Sequence, residues 1–548
     1  MAQERDIVLA GGRVFTSASD GPPWAEALAI RGDRVTAVGS LEELTAGFAG
    51  AEVVNVGDRT VLPGLIDAHN HFLATGESLN SVDVRSPGVA SIDDVVDRLT
   101  AAARETASGE WISAFGLDDA KFERPLTRTD LDRASTQHPI SVNHVSGHGC
   151  VVNSVALRMR AIGRETPDPP GGQLGRDATG EPNGVFFDAA MQLILPVALD
   201  IGSHGPNFHT EIALERSVDL VEQAGNAFLE AGLTTVCDPQ VSRRELLAYR
   251  EARRQGRLPL RTVCMPLSHQ LEDFRSVGLA GPFGNDQLSI GAMKFYADGS
   301  LIAGTAVFSE PYGEHGEFEG LMLHPNDELE ELLTAAHLDG WQVGVHVQGD
   351  RAMTTVVEIL ERAIARAPRD HRHRLEHAGY PTPELIERIA SLGIITVNQP
   401  NFLHDSGDEF LSRLGARAHG LQPLRRELDA GIMIVLSSDS DVSSYRPLET
   451  IRNAIARRTV SGEPIGMDQA LTLDEAIRAH TISGAYALRM EDRIGSLEPG
   501  KLADVAVVDG DLERTPVEEI PSLGVWMTMV GGEVRHATEP ALRTEMDG

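Results

Sequence analysis

Two histidines, His69 and His71, end an apolar run near the start of the chain, LPGLIDAHNH at 62–71. Residues two apart on a β-strand point to the same face, so the two imidazoles would project side by side from a strand end. Zinc and similar borderline divalent ions bind imidazole nitrogens together with carboxylates. The spacing therefore predicts a metal site whose remaining ligands lie elsewhere in the chain, although two hydrogen-bonded histidines would give the same pattern.

Further candidate ligands lie at the ends of later apolar, strand-like segments. They are Lys294, His346, His377 and Asp439. Each has another interpretation: a lone histidine can be a hydrogen-bonded core residue, Asp439 could cap the helix that follows it, and Lys294 could pair with Asp298 or another acid. Their recurrence at the same end of successive strands is more specific than any one of them, and four imidazoles with a carboxylate suit zinc or a similar ion.

Lys294 is the unusual member of this set. An ammonium group at the inner end of a strand would be desolvated, which is costly. A neutral amine at this position could instead take up carbon dioxide, and the resulting carbamate is an anion with two oxygens that can bridge two metal ions. The residues alone leave both forms open, an ion-paired ammonium and a carbamate.

Eight apolar segments in the middle of the chain alternate with amphipathic helical segments, which is typical of βα units around a parallel sheet. The strand segments are 62–69, 233–238, 260–266, 289–296, 342–348, 373–378, 394–399 and 432–438. Eight strands close a (β/α)8 TIM-type barrel, in which chemistry takes place at the C-terminal ends of the strands. The count requires residues 75–215, approximately, to be an insertion after the first strand, and we expect it to form a subdomain over the mouth of the barrel.

Short strands separated by tight turns occupy both ends of the chain. Near the N-terminus, the strand-like runs ALAI and VTAV flank RGDR, which is a hairpin signal, and the runs ADVAVV and WMTMV have the same character near the C-terminus. Small sets of strands rarely stand alone. The sequence therefore predicts an α/β protein in which residues 1–58 and 490–548 pair into one small β-sandwich domain beside a barrel domain of residues 59–489.

The composition excludes several classes of partner. Lysine and arginine number 48 against 81 acidic residues, and the formal net charge of −33 argues against a nucleic-acid backbone and an anionic membrane surface. No apolar run approaches the roughly 20 residues that span a bilayer, and residues 1–6 lack the pattern of a signal peptide. Three scattered cysteines, Cys150, Cys237 and Cys264, fit a reducing compartment. We therefore expect a cytoplasmic protein that acts on a small molecule.

Several of these motifs together resemble the amidohydrolase superfamily, in the subtype that binds two metal ions. The resemblance extends over nearly the whole chain, and its closest features are those of the branch that includes N-substituted formamide deformylase. The matching segments are 62–71, 294–300, 374–378, 437–439, 495–504 and, within the insertion, 146–154.

The resemblance implies a ligand set and a pair of ions. The implied ligands, in chain order, are His69, His71, Lys294, His346, His377 and Asp439. The two histidines of the first strand and the aspartate would hold the more buried ion, the other two histidines would hold the second, and the lysine, carboxylated on N6, would bridge them. Zinc is the first choice of metal, with manganese, iron or cobalt as alternatives.

The leading hypothesis is an amidohydrolase that acts on C–N bonds other than peptide bonds, in an amide, a formamide or a related small molecule. A metal-activated hydroxide would attack the carbonyl, and Asp439 would accept the proton and pass it to the leaving nitrogen. His148, which the insertion would place over the mouth of the barrel, would donate to the carbonyl oxygen as charge develops there. Asp118, Tyr312 and His404 are further candidates for contacts with substrate at the rim of the pocket.

Two other functions are compatible with the same residues. One is a deaminase or cyclic amide hydrolase with a single zinc ion, and the other is a non-catalytic regulatory relative, against which the complete ligand set argues. The resemblance also implies a homodimer. The loop after the eighth strand, SDSDV at 438–442, departs from the family pattern, in which Ala-Pro usually follows the aspartate. We expect this departure to change the shape of that edge of the pocket and not the ligand.

Overall fold

The structure is a computed structural model, which describes residues 6–538 except 19, 21, 86–87, 119–121, 146, 148, 170–171, 196–198 and 208. The strands before the inserted segment and within it are β1 (Asp6–Phe15), β2 (Trp24–Arg31), β3 (Arg34–Gly39), β4 (Glu52–Asn55), β5 (Thr60–Pro63), β6 (Leu65–Asp67), β7 (Val82–Asp83), β8 (Ile112–Leu117), β9 (Ile140–His144), β10 (Gly149–Val152), β11 (Gly172–Arg176) and β12 (Pro182–Asp188). The later strands are β13 (Leu233–Val241), β14 (Arg261–Pro266), β15 (Phe283–Gly284), β16 (Leu288–Ile290), β17 (Met293–Tyr296), β18 (Val343–His346), β19 (Arg374–Glu376), β20 (Ile395–Asn398), β21 (Ile434–Leu436), β22 (Val505–Val508), β23 (Val525–Val530) and β24 (Glu533–Ala537).

The α-helices concentrate between the strands of the central region. In chain order they are α1 (Leu41–Gly47), α2 (Phe72–Leu79), α3 (Ile92–Glu105), α4 (Arg128–Ala134), α5 (Ser154–Met159), α6 (Leu214–Glu230), α7 (Arg243–Arg254), α8 (Leu271–Ser276), α9 (Asn326–Leu338), α10 (Asp350–Arg366), α11 (Pro383–Leu392), α12 (Pro400–Asp405), α13 (Gly407–Leu414), α14 (Leu424–Asp429), α15 (Pro447–Ala456), α16 (Leu473–Ala479) and α17 (Ile482–Ala487). No helix in the described ranges is both long enough and apolar enough to cross a membrane.

Strands from both ends of the chain form one eight-stranded sheet in the order β24-β23-β22-β5-β1-β2-β3, with β4 paired to β1. The two ends meet where β5 pairs antiparallel with β22, with Leu62 opposite Ala506. The hairpin predicted around RGDR is confirmed, because Arg31 pairs with Arg34 across a two-residue turn. All eight strands belong to a single hydrogen-bonded sheet, so the pairing of the chain ends is observed while the two-layer sandwich stays a prediction.

Two five-stranded sheets occupy the middle of the chain, in the orders β15-β16-β14-β13-β6 and β17-β18-β19-β20-β21. Every pairing within them is parallel except that of the short β15 with β16. All eight predicted segments contain a strand of these two sheets. Buried parallel strands are apolar on both faces, which is why they were visible as apolar runs in the sequence.

Two of the predicted strands are divided in the structure. Segment 62–69 breaks at Gly64, so that β5 joins the terminal sheet while β6 pairs with β13. A Cβ atom on Gly64 would lie 2.2 Å from the hydroxyl oxygen of Thr234, so this close approach of the two chains requires glycine. Segment 289–296 breaks at Gly291, with β16 in one five-stranded sheet and β17 in the other.

Helices cover the central sheets through apolar faces. On α10, the buried residues Met353, Val356, Val357 and Leu360 recur at the spacing of one helical face. They pack into the main core cluster with the strand residues of the central sheets. Helix α9 likewise buries Leu329, Leu333 and Ala336 on one face.

A six-stranded sheet lies between β6 and β13 in the chain, with the order β11-β12-β10-β9-β8-β7. Its strands all fall inside the predicted insertion of residues 75–215. It has its own hydrophobic core, in which Val95 and Leu99 of α3 and Leu131 of α4 pack against Ile112 and Ile140 of the sheet. The predicted domain boundaries themselves stay predictions.

Candidate active site

The six candidate ligands come together at the C-terminal ends of the central strands. His69 and His71 follow β6, Lys294 lies in β17, and His346 ends β18. The two remaining candidates, His377 and Asp439, directly follow β19 and β21 in the same way. All six side chains are buried, with between 0% and 6% of their surface exposed.

Asp439 lies at the centre of the histidines. Its Oδ1 atom is 3.2 Å from Nε2 of His69 and 3.0 Å from Nε2 of His71, and its Oδ2 atom is 3.9 Å from Nδ1 of His377. His69, His377 and Asp439 each offer a ligand atom, and these atoms lie within 4.8 Å of one another. The rings of His346 and His377 are 4.5 Å apart between centroids, which brings the fifth side chain to the same place. The alternative in which Asp439 caps a helix is wrong, because the N-cap residue of α15 is Arg446.

Three buried ligand atoms in this cluster make no hydrogen bond of acceptable geometry with the described residues: His69 Nε2 and Asp439 Oδ1, which lie 3.2 Å apart, and Lys294 Nζ. A buried polar atom without a partner costs on the order of 1–3 kcal/mol, so such atoms are rare in native proteins and call for an explanation. A divalent cation would use both the histidine nitrogen and the carboxylate oxygen. The residues present therefore fit a metal ion.

Lys294 is fully buried, and burial lowers the pKa of its amine to about 8, against the opposing charges of Glu376 and Asp439. The predicted alternative was an ion pair with Asp298 or another acid, and the structure shows no ion pair between Lys294 and Asp298. The Asp298 carboxylate instead accepts backbone N–H groups from Val307 at 2.8 Å, Gly349 at 2.9 Å and Gln348 at 3.0 Å. Burial therefore leaves the lysine as an amine that loses its proton more readily than usual.

Glu376 is a part of the site that sequence reasoning missed. Nδ1 of His69 donates to Oε2 of Glu376 at 2.7 Å, which turns the opposite nitrogen of the ring toward Asp439. Arg374 donates to both carboxylate oxygens at 2.7 and 2.9 Å and to the carbonyl of Ala68 at 2.8 Å. Burial alone would raise the pKa of Glu376, but the Arg374 charge and the His69 hydrogen bond outweigh it and hold the pKa well below its usual range. The sequence does contain a signal for this pair, because Arg374 and Glu376 are two charged residues at alternate positions of a buried strand.

Replacing Glu376 by glutamine is expected to weaken metal binding by about 10- to 100-fold, because an outer carboxylate orients the histidine and raises its basicity. Competition with a chromophoric chelator would measure the affinity, and thermal unfolding would report any loss of stability from the unpaired Arg374. Glu427→Gln is the matched control, since Glu427 is equally buried but bonds to Thr396 and Asn398 behind β20. Equal metal affinity in both variants would contradict the role of Glu376.

His377 is held by a second polar contact. Its Nδ1 atom donates to Oε1 of Gln399 at 2.8 Å, and Gln399 in turn donates to the hydroxyl of Ser437 at 2.8 Å. Burial lowers the pKa of His377 to about 3, so the ring is neutral at ordinary pH, as a metal-binding imidazole must be. Gln399 thus orients the imidazole of His377, a role that its position in the sequence does not indicate.

Asp67 connects the ends of the first and last central strands. Its carboxylate accepts the backbone N–H of Ser438 at 3.0 Å and the hydroxyl of Ser438 at 2.5 Å, together with the amide of Asn70 at 2.9 Å. The backbone N–H of Asp439 also donates to the carbonyl of His69 at 2.8 Å. These bonds fix the position of Asp439 relative to His69.

A cavity of about 560 Å³ opens above these side chains. Its roof comes from the six-stranded sheet, where alternate residues of β8 and its paired strand β9 face the same side. The roof residues that line the cavity are Trp111, Ser113, Phe115, Ser141 and Asn143, with Met191 and Leu195 beside them. The inserted segment therefore contributes to the cavity wall, mainly through apolar and small polar groups.

The predicted rim residues lie elsewhere. The cavity wall does not include Asp118, Tyr312 or His404. The Tyr312 hydroxyl donates to the carbonyl of Ala306 at 3.1 Å, and Nδ1 of His404 donates to the carbonyl of Arg458 at 2.9 Å. Their positions do not support the predicted contacts with substrate. His148 lies outside the described residues.

The chain is similar over nearly its whole length to two named proteins. It is 30% identical to N-substituted formamide deformylase of Arthrobacter pascens over 547 residues, which cover 98% of this chain and 99% of that protein. It is also 30% identical to Protein LONG AFTER FAR-RED 3 of Arabidopsis thaliana, with coverage of 96% and 91%.

The same fold has been observed in a solved structure. The crystal structure of an uncharacterized metal-dependent hydrolase from Pyrococcus horikoshii OT3 superposes with a TM-score of 0.76 at 24% identity, and covers 94% of this chain and 99% of that one. Residues 52–536 match the family model of the amidohydrolases. The family match spans most of the chain and includes all six candidate ligands, so the chain belongs to the amidohydrolase family.

Proposed function

We propose that the protein is a metal-dependent hydrolase that cleaves the C–N bond of an amide, a formamide or a related small molecule. The observation that carries this proposal is the convergence of four histidines and Asp439 on one cavity, with Lys294 buried near Asp439 and with ligand atoms that make no hydrogen bond of acceptable geometry to the described residues. The similarity to N-substituted formamide deformylase supports the bond type. The cavity volume of about 560 Å³ suits a small molecule.

We also propose that the two central sheets close into one (β/α)8 barrel, with the terminal sheet as a separate domain and the inserted segment over the mouth. Contacts on both seams support closure. On one seam, Leu267 pairs with Lys294, and the N–H of Gly291 donates to the carbonyl of Cys264 at 2.8 Å. On the other, the N–H of Asp439 donates to the carbonyl of His69 at 2.8 Å.

The proposed ligands divide between two ions, zinc by preference. His69, His71 and Asp439 would hold one ion, and the two histidines that follow β18 and β19 would hold the other. Lys294 would bridge them as a carbamate: its neutral amine forms an N–C bond with carbon dioxide and releases one proton. The lowered pKa of this lysine and its missing hydrogen-bond partner support the modification.

A bound divalent ion lowers the pKa of a water molecule to near neutrality and polarises a carbonyl oxygen. The protein's own part is proton transfer and positioning. Burial alone would raise the pKa of Asp439, but the His69, His71 and His377 side chains outweigh it and hold the pKa well below its usual range. Asp439 is therefore ionised, and it can accept a proton from the attacking water and deliver it to the leaving nitrogen.

His148 is proposed to donate to the carbonyl oxygen of the substrate. Its neighbour Gly147 lines the cavity, which supports a contact between this stretch and a bound substrate. We further propose a homodimer, which rests on the family resemblance, and a cytoplasmic location, which rests on the composition.

A single-ion enzyme, such as a deaminase or cyclic amide hydrolase, is the second candidate. The group of His69, His377 and Asp439 favours it, because these three side chains alone offer enough ligands within 4.8 Å for one ion. The metal content of the purified protein separates the candidates, since about two equivalents support the bridged site and about one supports the alternative.

A panel of N-formyl, N-acyl, carbamate and cyclic amide compounds, assayed with added zinc or manganese, tests the proposed function. We expect hydrolysis of at least one amide class, loss of activity after dialysis against a chelator, and recovery when the metal is returned. Hydrolysis that survives complete removal of metal would contradict the proposal, and so would a metal-loaded protein that turns over only aromatic amines by deamination.

A further inference from the structure

The loop after β21 contains one carboxylate without an ion-pair partner among the described residues. Its other polar side chains are anchored: the Ser438 hydroxyl donates to Asp67 at 2.5 Å, and the hydroxyls of Ser440 and Thr75 share a hydrogen bond of 2.9 Å. The side chain of Asp441, in contrast, accepts a hydrogen bond only from its own backbone N–H and forms no ion pair with the residues that the structure describes. Hydrogen bonds thus hold the loop in place, and the carboxylate of Asp441 faces the cavity.

Asp441 lines the cavity beside the candidate metal site. Its side chain is half-buried, and its nearest charged neighbours include His71 and Asp439. Partly buried charges in proteins are normally paired, so the position calls for a partner of opposite charge.

The other charged residues of the described cavity wall do not supply that partner, and the guanidinium of Arg85, whose charge acts on Asp441, already pairs with Asp83 at 2.9 Å. Glu77 pairs with Arg244 at 3.1 Å, so its charge is already balanced. Arg216 is exposed and donates to the side-chain oxygen of Asn80 at 3.1 Å, and Glu211 is an exposed acid. Apart from the candidate metal ligands, Asp441 is therefore the charged residue of this described wall that is half-buried and has no ion-pair partner.

We propose that Asp441 determines substrate specificity by binding a protonated amine, or a similar cationic N–H group, on the substrate. This inference deepens the proposed function and rests on it. A cation in the cavity would form a charge-assisted hydrogen bond with the carboxylate, and such bonds are stronger than neutral ones. The substrate class would be amides or formamides that carry a second, basic nitrogen.

Matched substrates measure this preference directly. The metal-loaded protein would be assayed with N-formyl and N-acetyl derivatives of linear diamines, and with the alkylamine derivatives of equal length that end in a methyl group. We expect kcat/KM to be about 10- to 100-fold higher for the cationic member of the best pair, which is the range of a hydrogen bond to a charged group. Asp441→Asn should remove this ratio mainly through KM and leave turnover of the neutral substrate close to that of the wild type.

Glu211→Gln is the matched control, because it removes one negative charge from the exposed rim of the same cavity. It should keep the preference for the cationic substrate. Metal content and thermal unfolding of Asp441→Asn would identify a merely structural role, since a variant that loses metal or unfolds early would lower turnover of both substrates equally. Equal rates for cationic and neutral substrates in the wild type would overturn the inference.

A binding measurement separates this inference from the proposed reaction. Free linear diamines and alkylamines of equal length would be titrated calorimetrically into the metal-loaded wild type and Asp441→Asn. Tighter binding of the diamine that is lost in the variant supports the cation site, even if none of the amides is hydrolysed. A wild type that hydrolyses amides but binds both amines equally would contradict the cation site and leave the proposed function intact.

Discussion

Asp439→Asn is expected to lower kcat for amide hydrolysis by about 10²- to 10⁴-fold, the usual contribution of a general acid–base group. Asparagine keeps the size of the side chain and an oxygen that can face the histidines, but it cannot accept a proton at neutral pH. The carboxylate lies within 3.2 Å of Nε2 on both His69 and His71, so the substitution also tests a metal ligand.

Metal analysis of the same preparation separates these two roles. Activity and metal content should be measured together, with the exposed Asp492→Asn as a control that removes one charge far from the cavity. Loss of activity with the metal retained supports proton transfer, whereas parallel loss of both indicates that binding of the ion dominates. Full activity in a variant that still holds metal would show that the assignment of Asp439 is wrong.

Lys294→Met has the second large expected effect. Methionine fills a similar volume in the buried strand but cannot form a carbamate, so the bridging ligand would be lost. We expect about one ion to be lost per chain and hydrolysis to fall by at least about 10²-fold, because two-metal activation of water and carbonyl would no longer be possible.

Carbon-13 labelling tests the modification itself. Metal-loaded wild-type protein incubated with labelled bicarbonate should show a carbamate resonance that Lys294→Met lacks. Lys501→Met is a suitable control, since Lys501 is a partly buried lysine that pairs with Glu498 at 2.9 Å, remote from the cavity. A wild-type protein with two bound ions and no carbamate signal would contradict the proposed bridge.

Part of this arrangement could be predicted from the sequence because its determinants are local. The central strands are apolar on both faces, and the side chains that follow them must lie at one edge of parallel sheets. The sequence therefore predicts that His69, His377 and Asp439 meet, and the structure places their ligand atoms within 4.8 Å of one another.

The contacts that orient these side chains depend on strand register, which a single sequence does not reveal. The bond from His69 to Glu376 joins residues 307 apart in the chain, and it exists only because the ends of β6 and β19, which belong to different sheets, lie close together. The division at Gly64 likewise depends on how closely Thr234 approaches from another strand. The rim positions were the least predictable: Tyr312 lies in a loop and His404 in the short helix α12, and both side chains turn toward backbone carbonyls instead of the cavity.

The metal content of the purified protein tests the central claim most directly. Inductively coupled plasma mass spectrometry on protein prepared without chelators and supplied with zinc should find about two divalent ions per chain, and fewer in Glu376→Gln at limiting metal. Removal of those ions should abolish amide hydrolysis. A protein that binds no divalent ion tightly, or that hydrolyses amides equally well without one, would contradict the account.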